Sequence, residues 1–245
     1  MPRFYSPNAD FSLKKFILAD AEELHHLKNV LRIKKGEKIV LFNGKNEEAE
    51  GIIREISSQN ATIEIFNVKR ISSRNTPKII LACAIPKKSK FEIIIEKCTE
   101  LGVDEIIPII TKRTEIALKD ERADKKLTRY KTIAISAAKQ SHRLTIPEIH
   151  PIMTFSDAME NLSQNTTVLI PSLMGKPQNL FKTIEGLRKT EKISFFIGPE
   201  GDFTPEEYAF AQEKKAIPVS LGPTVLRVET AAICSISCAN LYFSI

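Results

Sequence analysis

Two short segments concentrate the residue types that hold a small ligand. Ile197-Gly198-Pro199-Glu200-Gly201-Asp202-Phe203 follows an apolar run that starts at Ile193. Leu221-Gly222-Pro223-Thr224-Val225-Leu226-Arg227-Val228-Glu229-Thr230-Ala231 follows another that starts at Pro218. If both runs are strands of an open α/β sheet, both segments lie at strand carboxyl ends, where such sheets bind ligands. Glycine lets backbone approach a ligand closely, and Glu200, Arg227 and Glu229 add charge. An ordinary strand-to-helix turn uses similar residues, and capping of a helix N-terminus is the competing role for the two glutamates. Two loops with this density of Gly, Pro, Glu and Arg favour a site.

Other chemistries lack their residues. No Gly-x4-Gly-Lys-Ser/Thr occurs, so a nucleotide P-loop is not expected. The first α/β strand continues Ile79-Ile-Leu-Ala-Cys-Ala-Ile-Pro86 with no Gly-x-Gly-x-x-Gly, against an ordinary dinucleotide site. No Gly-x-Ser-x-Gly elbow appears. Cys83, Cys98, Cys234 and Cys238 show no zinc spacing and no histidine partners, so buried reduced thiols are expected and no metal.

The elements that must position the two loops follow from periodicity. Asp20 caps a helix that runs through Leu24, Leu27, Val30 and Leu31, with Glu23 closing a capping box. Strands are expected at 38–42, 48–56 and 61–68, with an Asn43-Gly44 turn, giving a small β-rich unit. The polar stretch 69–77, ending in Pro77, reads as a linker. Strands and helices then alternate: strands at 78–84, 105–110, 167–170, 193–197 and 218–221, and helices at 88–101, 124–141, 155–162, 178–188, 205–215 and 229–243. That is a mostly parallel α/β sheet. The expected domains are 1–72, a small barrel, and 73–245, the α/β domain. The final helix is apolar nearly all round, which implies burial in a core or a subunit interface.

Among 245 residues, 42% are hydrophobic and 27% charged, enough for two soluble domains, and the net charge is +6. Residues 73–150 carry 16 Lys and Arg against 10 Asp and Glu, so the surplus lies mid-chain. Such a surplus suits a phosphate backbone, with Lys125, Lys126, Arg129, Lys131 and Lys139 on one helix; a merely solvated face is the alternative. The start Met-Pro-Arg-Phe-Tyr lacks a signal-peptide pattern and no apolar run spans a bilayer, so a cytoplasmic protein without membrane attachment is expected.

Gly198-Pro-Glu-Gly201 together with Leu221-Gly-x3-Leu226-Arg-x-Glu229-Thr-Ala231 resembles the cofactor region of the SPOUT methyltransferases. More narrowly, the chain resembles the RsmE family, which methylates uracil N3 in small-subunit ribosomal RNA. Thr99-Glu-Leu-Gly-Val103, Ala137-Ala-Lys-Gln-Ser-His-Arg143 with Pro147, His26-Leu-Lys-Asn-Val-Leu-Arg32 with Gly36, and Arg3-Phe4 agree in order along the chain. The resemblance implies a PUA-like N-terminal barrel, a SPOUT-type α/β domain with a C-terminal trefoil knot, S-adenosylmethionine as cofactor, and a homodimer with cofactor sites near its interface. It implies cofactor binding by Ile197, Gly198, Pro199, Gly201, Leu221, Gly222 and Leu226. One departure stands out: the family usually has glycine where this chain has Asp202.

The implied reaction takes place at an imide nitrogen that carries a proton. That proton must leave, and the resulting anion needs stabilising. Arg227, Glu229 and Glu200 are the catalytic candidates, and the sequence does not choose a base among them. Arg3, Arg32 and Arg143 are expected at RNA, on phosphates or stacked on a splayed base. The partner is then 16S ribosomal RNA or the small subunit. The rivals are a non-catalytic RNA-binding or ribosome-assembly protein, for which Asp202 is the only pointer, and the same enzyme class acting on another RNA.

Overall fold

The alternating residues of the first 70 positions build a five-stranded sheet. The strands are β1 (Arg3–Tyr5), β2 (Lys15–Leu18), β3 (Lys38–Phe42), β4 (Glu47–Ile56) and β5 (Ala61–Arg70), in the order β1-β3-β4-β5-β2. β1 runs parallel to β3; the other pairs are antiparallel. The computed structural model describes residues 1–71, 76–87, 90–114, 120–173, 175–187 and 190–244, without the side chains of 120–122. Most of the expected linker's centre, 72–75, lies outside the described residues, as do 88, 89 and 188 at the ends of two expected helices.

Inward residues of the sheet, Ile39, Leu41, Ile53, Ala61 and Ile63, are fully buried and meet Phe4, Leu18 and Leu27 in one core. Gly51 lies where the β4–β5 register shifts, and a Cβ there would stand 2.4 Å from the Ile63 side chain. Helix α1 is shorter than its periodicity predicts. It spans Ala21–His25, capped by the Asp20 carboxylate accepting from the Glu23 amide at 2.9 Å. A π-helical turn, His26–Val30, follows. The wider turn keeps Leu27 inside but rotates Val30 and Leu31 outward, against the expectation that they share its face. The turn ends in Arg32, whose φ of 53° is left-handed. β1 and β2 were not expected; they are three and four residues long, too short for a visible alternation.

Arg3 is a correction. Expected at RNA, it is 7% exposed. Its guanidinium donates to the Ala138 carbonyl at 3.0 Å and to Glu48 at 3.2 Å, and lies 4.1 Å from the Phe42 ring centroid. A cation so enclosed is a structural clamp. Its partner residue belongs to the segment Ala138–Ile146, which groups with Met1–Ser73 as one unit, whereas a single cut near residue 72 would place it in the other. Lys139 in that segment pairs with Glu23 at 2.8 Å.

The second unit alternates as expected. It contains β6 (Lys78–Ala84), α2 (Lys90–Glu100), β7 (Glu105–Ile110), most of α3 (Asp120–Gln140), β8 (Glu148–Ile149), β9 (Met153–Thr154) and α4 (Phe155–Ser163). Then come β10 (Thr167–Pro171), β11 (Gln178–Asn179), α5 (Leu180–Glu185), β12 (Lys192–Ile197), α6 (Pro205–Glu213), β13 (Ile217–Ser220) and α7 (Val228–Phe243). The sheet order is β11-β13-β10-β12-β6-β7-β8, with β9 also on β7, and all its pairs are parallel. The last strand is therefore interior. On one face, Phe155 packs edge-on to Phe196 and 5.0 Å from Phe203. Phe203 belongs to the loop after β12, so core burial, worth about 1.5–3 kcal/mol for one such ring, anchors that loop. α7 packs on α2, β6 and β12 through Val228, Ala232, Ile236 and Ala239. Cys83 and Cys98 are buried, Cys234 and Cys238 half-buried, and all four are free thiols. No helix among the described residues is long and apolar enough to cross a membrane.

One ion pair at the amino-terminal edge of this sheet carries a pH prediction. His150 Nε2 lies 3.0 Å from Glu105. The hydrogen bond raises the imidazole's pKa and lowers the carboxylate's. The histidine term stabilises the fold below the imidazole's ordinary pKa and fades as pH rises through the raised value. The glutamate term is present above the carboxylate's ordinary pKa and fades as pH falls through the lowered value. His150→Gln should therefore lower the melting temperature most near pH 5.5, by roughly 2–4 °C for a loss of about 1 kcal/mol. By pH 9 the variant and parent should melt together, and a pH-independent gap in thermal melts would contradict the pair's role.

Candidate active site

The loops after β12 and β13 border one cavity of about 380 Å³. Ile197, Gly198, Pro199, Glu200 and Asp202 line it from the first loop, and Leu221, Gly222, Leu226 and Arg227 from the second. Pro171, Ser172 and Leu173, at the carboxyl end of β10, form a third wall, and Lys90 at the start of α2 completes it.

The first loop is held from several sides. A Cβ on Gly198 would sit 3.2 Å from the Phe203 ring, so glycine allows the loop to fold over its own anchor. Asp202 is left-handed, with φ of 63°, a conformation aspartate tolerates better than most residues. Its carboxylate accepts from the Phe203 amide and the Tyr208 hydroxyl, each at 2.8 Å. Burial and that carboxylate push the Tyr208 phenol's pKa up, with Ser172 acting the other way. The departure from the family's glycine is thus accommodated inside the loop. Arg113 donates to the carbonyls of Gly201 and Phe203. Glu207 accepts from the amides of Thr204 and Lys112, both at 2.9 Å, tying the loop to the end of β7. Glu200 accepts from the Lys87 amide at 3.1 Å.

In the second loop Gly222 has φ of 133°, a backbone that side chains rarely permit. Arg227 is the N-cap of α7 without a side-chain cap. It is exposed, and its guanidinium makes no hydrogen bond or ion pair with any described residue. Glu229 lies in the first turn of α7 with Oε1 3.4 Å from Lys90 Nζ; its Oε2 is buried without a hydrogen-bond partner among the described residues. The cavity therefore offers glycine-bearing backbone, apolar side chains and two cations.

The comparisons agree over the whole chain. Residues 73–240 match the RNA methyltransferase domain and residues 18–66 the RNA methyltransferase PUA domain. Ribosomal RNA small subunit methyltransferase E of Rickettsia conorii is 33% identical over 230 residues, 93% of this chain and 90% of that one. The Bacillus subtilis protein of the same name is 29% identical over 88% of this chain and 86% of its own. The crystal structure of the Neisseria gonorrhoeae enzyme of that name, bound to S-adenosyl methionine, superposes with a TM-score of 0.87 at 31% identity, covering 99% of this chain and 98% of that one. The chain belongs to the ribosomal RNA small subunit methyltransferase E family.

For a methyltransferase E, most of the loop residues expected at the cofactor do border the cavity. Gly201 does not; its carbonyl faces Arg113 instead. Of the catalytic candidates, Arg227 and Glu200 line the cavity, whereas Glu229 stands behind Lys90. In the first unit Arg32 is exposed, and Arg143 is half-buried, donating to Thr145 at 3.0 Å. The basic face expected on α3 is partly neutralised: Arg129 pairs with Glu92 at 2.6 Å and Lys139 with Glu23. Sequence reasoning missed Lys90 and the β10 wall. The strand-end rule that found the other loops applied equally to Pro171–Leu173; nothing in the sequence singled out Lys90. Glu105, Glu148 and His150 bring possible metal-ligating atoms within 4.8 Å of one another, but the imidazole and Glu105 satisfy each other and Lys78 lies 3.9 Å from Glu105.

Proposed function

We propose that this chain transfers a methyl group from S-adenosylmethionine to N3 of uracil in 16S ribosomal RNA, in the bacterial cytoplasm. The observation that carries the reading is an exposed guanidinium, Arg227, with no partner among the described residues, at the edge of a cavity cradled by two glycine-bearing loops. The cavity's volume of about 380 Å³ suits a small-molecule ligand. Ile197, Leu221 and Leu226 offer apolar surface, and Gly198 and Gly222 bring main chain to the cavity wall, the latter with its N–H and carbonyl held by the Ser220 hydroxyl at 3.3 Å. Bound there, the cofactor supplies an electrophilic methyl group on a sulfonium. The loops hold it in place, and Arg227 offers a positive charge where the base loses its proton. Mapping N3-methyluridine in 16S ribosomal RNA from cells with and without the gene tests the reading. Methylation elsewhere would support the same chemistry on another RNA, and failure to bind S-adenosylmethionine would support the non-catalytic alternative.

Gly222→Val is expected to weaken S-adenosylmethionine binding at least about tenfold, because roughly 1–3 kcal/mol of backbone strain falls on the cradle. Calorimetry showing an unchanged affinity would remove this loop from the site.

RNA binding is assigned to Arg32, Arg143 and the lysines Lys125, Lys126 and Lys131 of α3. Affinity should fall steeply with salt, and Arg32→Ala should reduce the slope of log affinity against log salt by about 0.7–0.9 for one lost phosphate contact. Filter binding over a salt series measures it, and a slope unchanged in the variant would exclude a phosphate contact. A homodimer and the trefoil knot belong to the same proposal. Exposed Phe181 and Leu241 support the first. The interior place of β13, with α7 returning onto β6 and β12, supports the second.

A further inference from the structure

We propose that Lys90 is a catalytic cation, held by Glu229, that stabilises negative charge on a carbonyl oxygen of the target uracil as N3 gives up its proton. The proposal rests on the uracil-N3 reading above. Its basis is a reversal of roles between two residues. Glu229 lies in the loop-to-helix segment that suggests chemistry, yet it does not border the cavity. Lys90 does, and Glu229 Oε1 lies 3.4 Å from its ammonium. Glu229 is the more enclosed of the two, its side chain 19% exposed against 31% for Lys90. Its Oε2 has no hydrogen-bond partner among the described residues. An ion-paired carboxylate behind a lysine is poorly placed to take a proton from the substrate. It is well placed to hold the lysine.

The remaining ionisable groups fit this assignment. Glu200 is committed to the Lys87 amide, and Asp202 to Tyr208 and the Phe203 amide. Burial, then Cys98 and the carboxylates of Glu200 and Glu229, push the pKa of the Cys83 thiol near the end of β6 up. That leaves Lys90 and Arg227 as the cations bordering the cavity among the described residues. Uracil needs such charge because removing the N3 proton spreads an anion over N3 and the two flanking carbonyl oxygens. A cation beside one oxygen binds that anion more strongly than neutral uracil, so it lowers the barrier and not merely the substrate's Kd. The step balances without a further reactant. The N3 proton leaves to solvent, the N3 lone pair forms the new bond to the methyl carbon, and the carbon–sulfur electron pair returns to sulfur, leaving a neutral thioether. Glu229 is a positioning residue in this scheme.

The test compares wild type, Lys90→Ala, Lys90→Arg and Glu229→Gln in single-turnover methylation of RNA carrying uridine or the more acidic 5-fluorouridine. S-adenosylmethionine affinity by calorimetry and a thermal melt accompany each variant. Lys90→Ala should lose about 10²–10³ in rate on uridine, with cofactor affinity unchanged. The loss should be smaller on 5-fluorouridine, whose imide needs less help. Its rate should still be climbing at a pH where the wild type has levelled off. Lys90→Arg should recover part of the rate, and Glu229→Gln should fall between. A loss of cofactor affinity matching the loss of rate would overturn the proposal and place Lys90 at the cofactor's carboxylate. An equal deficit on both RNAs with an unshifted pH profile would overturn it in favour of a purely structural lysine. If the wild type forms no N3-methyluridine, the underlying reading fails first; if it does, these outcomes bear on Lys90 alone.

Discussion

Arg227→Ala should slow single-turnover methylation by about 10²–10³ at saturating S-adenosylmethionine, equivalent to roughly 3–4 kcal/mol of lost transition-state stabilisation. The same variant should melt within about 0.5 kcal/mol of the parent. Both parts follow from the geometry. The competing idea for this arginine, a clamp tying its loop to Glu229 or Glu200, requires an ion pair. Glu229 is instead paired with Lys90 and Glu200 with the Lys87 amide, while Arg227 makes no hydrogen bond or ion pair with any described residue. Removing an exposed, unengaged guanidinium leaves no orphaned partner, so folding has little to lose. A single-turnover rate equal to that of the parent would take Arg227 out of the reaction. A large drop in melting temperature would show a structural partner.

Glu207→Ala should do the opposite, with a stability loss of about 2–4 kcal/mol. Glu207 is 7% exposed and accepts from two amides, Thr204 within its own capping box and Lys112 at the end of β7. Truncation leaves both N–H groups without their acceptor in a partly dry setting, at about 1–3 kcal/mol each. For a chain of this length, the melting temperature should fall by roughly 5–15 °C. Cofactor affinity should fall with it, because the loop carrying Gly198 to Asp202 loses one of its ties to the sheet. Glu207→Gln should be intermediate, since one amide oxygen replaces two carboxylate oxygens. A melting temperature within 2 °C of the parent, a shift of about 1 kcal/mol or less, would mean that water replaces the carboxylate at both amides.

Elements with long, regular periodicity were legible in the sequence. β6 and β7 fall on their expected residues, and α4, α6 and α7 lie within a few residues of theirs. The two loops were legible because glycine and proline mark strand ends irrespective of tertiary context. What escaped did so for specific reasons. The π-helical turn at His26–Val30 differs from an α-helix by one hydrogen-bond step, and apolar spacing does not distinguish them until side chains such as Val30 turn outward. Arg3 was expected at RNA, with Arg32 and Arg143, as a cation in a segment that resembles the family. Its burial depends on Ala138, 135 residues away. Lys90 became visible only when α2 and α7 were brought together. A helix-terminal lysine has no local signature that separates it from a solvated one.

The first unit is not a continuous piece of chain, since Ala138–Ile146 belongs with Met1–Ser73. Three covalent crossings therefore join the units where a bead-on-a-string protein has one. A clone ended at residue 73 would contain the Arg3 guanidinium without the Ala138 carbonyl, and Glu23 without Lys139. It would express as a sheet with a missing flank, open to proteolysis and to borrowing that flank from another molecule. A nick at residue 73 in the intact protein, by contrast, would still leave both fragments sharing residues of the same fold. Dissecting RNA binding from catalysis is thus a task for point substitutions on the full chain rather than for truncation.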